Sequence, residues 1–134
     1  MKGDKIVHIW CDLYKSNIYF YIGGNVNDAW EYYAKQIKLK GPYDKEDIIR
    51  GLEGKMMAMD NSVSVIVWLN KDYTFQILVH ECLHVTNFLF KQIGILPATH
   101  DNDEHYCYFL QWLIEKFLDK VKPNNLNGIY KNQT

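Results

Sequence analysis

The stretch ILVHECLHVTNFLF, residues 77–90, sets His80, Glu81 and His84 inside a run that is otherwise largely apolar. Polar side chains are costly to bury without partners, so this trio implies a wet cleft, a polar network or a metal. Spaced four apart, the two histidines rise from one face of a helix, one above the other. From there two imidazoles can meet a single tetrahedral zinc at nitrogen distances of about 2.0–2.1 Å. Glu81 projects about 100° round the same turn. It is poorly placed as a ligand of that ion and well placed to take a proton from a water beside it. The plainer alternative is a pair of core histidines hydrogen-bonded to their neighbours.

The trio needs a long helix, and the spacing predicts one from about Thr74 to Ile93, ended by Gly94 with Pro97 beyond. Apolar residues occupy most of its circumference, which predicts burial on nearly all sides. Gln76, His80, His84, Asn87 and Lys91 share one arc of roughly 80°. Cys82 falls nearly opposite that stripe and reads as packing.

A catalytic zinc usually takes three protein ligands and leaves a position for water. The segment THDNDEHYCYF begins fifteen residues after His84 and offers His100, Asp101, Asp103, Glu104 and His105. A helix–loop–helix connection folds the last helix, expected from about Asn102 to Val121, back antiparallel to the first. Glu104 also completes a D-x-x-E capping box with Asp101 and suits the positive end of a helix dipole. The residues alone leave the third ligand open among Glu104, His105 and His100. Asn87 and Asp101 are candidates to accept the second N–H of a ligating imidazole. His100, His105, Tyr73, Tyr106 and Tyr108 are candidates to donate to a developing oxyanion.

HECLH followed after nineteen residues by Glu104 resembles the zincin metallopeptidases, in their gluzincin branch. DNDEHYCYFLQWL is similar to a segment of small, uncharacterised phage-encoded zincin-like proteins, with an acidic residue, Asn, any residue and Glu, then Tyr and Leu four and six residues on. Tyr108 and Leu110 hold those last two places. The resemblance covers about residues 62–114, including the order of strand, short loop and helix in VIVWLN and ILVHECLH. It departs from the metzincin branch, whose third histidine would stand where Phe90 is.

The resemblance implies one Zn2+ per chain held by His80, His84 and Glu104, with Glu81 as general base in peptide-bond hydrolysis. His105, directly after Glu104, is a competing ligand. It also implies that a strand near the site helix pairs with an extended substrate, for which SVSVIVWL is the candidate. Two other functions fit the same residues. One is a zinc amidase acting on a non-protein amide, the other a non-catalytic metal-binding or regulatory protein that keeps the zincin fold. A phage origin would place the protein in a host cytoplasm.

The remaining chain frames the site. KIVHIWCDLY and NIYFYIGG read as a β-hairpin. Val26, Ala29, Trp30, Tyr33, Ala34 and Ile37 describe an amphipathic helix, capped by Asn25 or Asn27 and stopped by Gly41-Pro42. DKEDIIRGLEG suggests a short helical turn. KMMAM and SVSVIVWL read as strands joined at DNS, the second apolar on both faces from Val65 onward and so well covered. The expectation is α+β: a minimal zincin-like domain over residues 1–122, with a small, mostly antiparallel sheet, an N-terminal helix and two long C-terminal helices packed over the strands. Residues 123–134 read as a polar tail.

With 134 residues, 48% hydrophobic and 23% charged, the chain suits one globular domain. A net charge of −1 gives no pull toward nucleic acid or anionic membranes. No apolar run reaches a membrane span, and MKGDKIVHIWCDLY lacks a signal-peptide core. Three widely spaced cysteines do not make a disulfide framework. The expected setting is the cytoplasm, with a peptide or protein substrate as partner and no inference about oligomeric state.

Overall fold

Alternating burial along KIVHIWC turns Val7, Ile9 and Cys11 to one side of a strand, β1 (Lys5–Cys11). It pairs antiparallel with β2 (Ser16–Ile22), from Lys5↔Ile22 to Cys11↔Ser16, around a turn that Lys15 closes at φ 53°. The computed structural model describes residues 4–41, 51–101 and 103–121. After Gly23 and Gly24, both at positive φ, helix α1 (Val26–Gln36) starts at Asn25. The Asn25 side chain accepts the N–H groups of Asn27 and Asp28, and the Asp28 carboxylate accepts the Asn25 N–H, a complete capping box. The helix ends before Gly41, at Ile37, with Lys38 left-handed at φ 60°.

Residues 42–50, most of the expected helical turn, lie outside the described residues, as do residues 123–134. Gly54 opens β3 (Gly54–Met57), and Asn61 at φ 63° turns the chain into β4 (Val65–Leu69). Helix α2 (Phe75–Gln92) is capped by the Thr74 hydroxyl, which accepts the Ile77 N–H, and Gly94 follows it at φ 84°. Helix α3 (Asp103–Lys120) completes the order.

The sheet runs β1-β2-β4-β3. Both outer pairs are antiparallel, while the central pair β2–β4 is parallel, from Ile18↔Val65 to Ile22↔Leu69. The sheet is therefore mixed, because α1 carries the chain back across it before β4 is laid down. All five residues of β4 are buried, as its two-faced apolar pattern requires. Helices cover both faces. Val26, Ala29 and Tyr33 of α1 pack on Tyr19, Tyr21, Ile66 and Trp68. On the other face, α2 and α3 enclose the larger core with Phe20, Val67, Leu78, Leu89, Phe90, Leu113 and Phe117. The two long helices share a face as expected, and α1 takes the opposite one. Among the described residues no helix is long and apolar enough to cross a membrane.

Candidate metal and catalytic site

The heptad-like spacing of Leu78, Cys82, Val85 and Leu89, all fully buried, fixes which side of α2 meets the sheet. His80, His84, Asn87, Gln76 and Lys91 then point to solvent, and all are exposed. Leu83 is 44% exposed because it borders this stripe. The helix is thus buried on about two-thirds of its circumference rather than nearly all of it.

The two histidine rings converge. Their Nε2 atoms lie 3.2 Å apart, with ring centroids 4.9 Å apart and planes at 73°. Two nitrogens bound at about 2.0–2.1 Å to one tetrahedral ion would stand about 3.3–3.4 Å apart. The pair therefore fits half of a zinc coordination shell with almost no movement.

Glu81 sits one step round the helix and is buried, at 5% exposure. Its Oε2 lies 3.9 Å from His80 Nε2, and its carboxylate accepts the Met56 backbone N–H. That donor is free because of sheet register. Asn70 N–H donates to Glu53 C=O, so Lys55↔Trp68 and Met57↔Ile66 are the next hydrogen-bonded pairs, and Met56 points its N–H off the open edge of β3. Burial raises the Glu81 pKa, while His80, His84 and the Met56 N–H hold the rise back.

Gly54 lets β3 approach this turn. A Cβ there would stand 2.9 Å from Ile77 Cγ2 and 3.1 Å from Glu81 Cγ. Neither the Met56 donor nor the Gly54 contact was read from the sequence. The only signal was a glycine heading a short strand, a mark of close backbone approach.

Among the described residues, no three His, Cys, Asp or Glu side chains form a group that could hold a metal ion, so Glu104 does not join His80 and His84. Helix α3 meets α2 through Phe90, whose ring lies 4.7 Å from Tyr106 and 5.4 Å from Phe109. Phe90 stands about 80° round the helix from His80 and about 120° from His84. It is also about 9 Å along the axis beyond His84. The exposed first turn of α3 therefore lies toward the C-terminal end of α2.

The other candidates scatter. Asn87 shares the histidine stripe, while Asp101 is exposed and its N–H donates to Thr99 Oγ1. Tyr106 is buried and donates its hydroxyl proton to Leu96 C=O at 2.7 Å. Tyr73 is buried in the core with an unpartnered hydroxyl, and burial pushes its pKa up to about 12. His100 is exposed; His105 and Tyr108 line a groove against the β1–β2 turn. The strand SVSVIVWL cannot receive a substrate strand, because β4 is paired on both sides; the open edge beside Glu81 belongs to β3. No family model, no curated protein and no solved structure matches the chain.

Proposed function

We propose that the protein is a zinc-dependent hydrolase, in its simplest form a small metallopeptidase with one zinc per chain. The observation that carries this reading is the 3.2 Å Nε2–Nε2 separation of His80 and His84 beside a buried, anchored Glu81. His80 and His84 would hold the ion, and Glu104 is the candidate third ligand. Bound there, zinc supplies Lewis-acid polarisation of the scissile carbonyl and acidifies water. Glu81 takes a proton from the attacking water and returns it to the leaving amine. The Met56 N–H fixes the direction of its carboxylate. With the Met56 N–H taken by Glu81, the outer edge of β3 has the Gly54 N–H and the Gly54 and Met56 carbonyls facing outward as the candidate groups for an extended peptide, as in strand addition. That edge is four residues long, which suits a short substrate segment. Three free cysteines, two of them buried, suit a reducing cytoplasm.

A second reading is a metal-binding protein without catalysis, and the absence of a three-ligand group among the described residues favours it. Metal analysis and a peptide-library digest separate the two. Under the first reading wild type holds one zinc, His80→Ala loses it, and Glu81→Gln keeps it while turnover falls by about 10²–10⁴-fold. Zinc bound with no cleavage of any library member supports the second. Failure of wild type to bind zinc more tightly than His80→Ala defeats both.

A further inference from the structure

A groove of about 550 Å³ lies between the β1–β2 turn and one flank of α3. That volume falls within the range of about 300–1,000 Å³ usual for small-molecule sites. His105, Tyr108, Trp112 and Lys116 supply the α3 wall at steps of three and four residues. Tyr14, Phe109 and Trp112 form a continuous aromatic base, with Phe109 5.6 Å from each of the other two rings. Around it, Trp10 is 47%, Leu13 77% and Tyr108 66% exposed, although large apolar side chains are usually covered. The charges in the groove are unequal. Asp12 is neutralised by Lys15 at 2.9 Å, whereas Lys116 has no ion pair or hydrogen bond among the described residues. The groove thus combines aromatic walls with one uncompensated cation.

We infer that this groove binds a small aromatic carboxylic acid, its ring against Trp10, Tyr108 and Trp112 and its carboxylate on Lys116. Aromatic packing supplies the contact area and the ammonium supplies the selection for charge. The inference does not depend on zinc or hydrolysis.

The probes are 3-phenylpropionate and its neutral isostere 3-phenylpropionamide, titrated into the full chain and followed through the indole N–H resonances of Trp10 and Trp112. The acid shifts both resonances and binds about tenfold or more tightly than the amide, the scale of one charge-assisted contact. Lys116→Met lowers the acid to the level of the amide. Tyr108→Ala, at an exposed position, weakens both ligands. Equal binding of acid and amide, an acid preference that survives Lys116→Met, or indole resonances that do not move would each overturn the proposal.

Discussion

The two flanks of α2 are built from different materials. Toward α3 it presents Phe90, which makes edge and tilted contacts with Tyr106 and Phe109 and meets Tyr14 from the hairpin turn. Toward β3 it presents Ile77 and Glu81 against a glycine and a backbone N–H. On the first flank the rings interlock and decide where α3 lies. The second holds one carboxylate in place through a charge-assisted bond. Phe90 and Glu81 thus stand half a turn apart on one helix.

Breaking the aromatic flank should have the largest effect. Phe90→Ala should cost about 3–5 kcal/mol in urea unfolding, because the ring is fully buried among three others. If support and chemistry are separate, the fraction that remains folded should still bind zinc through the histidines. A loss of zinc affinity in that folded fraction would show that the flanks are coupled.

The polar flank is sharpened by Gly54→Ala. The added Cβ would stand 2.9 Å from Ile77 Cγ2, 3.1 Å from Glu81 Cγ and 3.3 Å from Trp68 O. The expected cost is about 1–2 kcal/mol by denaturant titration, as for modest overpacking. Zinc affinity should hold while turnover drops, since the variant displaces the carboxylate and leaves the imidazoles alone. Equal losses in both would contradict this division.

Tyr73 offers a buried polar group with no partner, in contrast to Glu81. Tyr73→Phe should leave stability unchanged or raise it by about 1 kcal/mol, because no hydrogen bond is lost. The hydroxyl pKa stands above its usual 10.0, at about 12. The unfolded chain therefore releases this proton first, and stability from Tyr73 falls as pH rises from about 10 to about 12. Alkaline unfolding of Tyr73→Phe should lack that part of the slope.

The smallest effect on the fold belongs to Glu104→Gln. An exposed carboxylate in the first turn of α3 contributes about 0.3–1 kcal/mol through the helix dipole. Zinc titration of the same variant decides its second role: a tenfold or greater loss of affinity makes Glu104 a ligand, and no change limits it to the helix terminus.

Local features were legible in the sequence. Asn25, Thr74 and Gly94 mark helix boundaries through hydrogen bonds and φ angles that involve only near neighbours. The histidine pair was legible for the same reason, since four residues of helix determine the distance between the rings. Sheet order was not, because the parallel match of Ile18 with Val65 depends on where α1 carries the chain. Nor was the side of α2 on which α3 packs. Periodicity shows that α2 has two flanks but not which neighbour occupies each, and Phe90 could have met the sheet as readily as α3. The anchoring of Glu81 was hidden more deeply, because its donor is a main-chain group exposed only by strand register.

The β2–β4 pairing also sets an order of assembly. Ile18 and Val65 meet across 47 residues, and closing so wide a span is slow beside forming one turn of helix. The β3–β4 pairing, by contrast, is closed by the short turn at Asn61, so Gly54 and Met56 can be set beside β4 before that long span closes. The strand that faces Glu81 therefore belongs to a local unit whose assembly need not wait for the N-terminal hairpin.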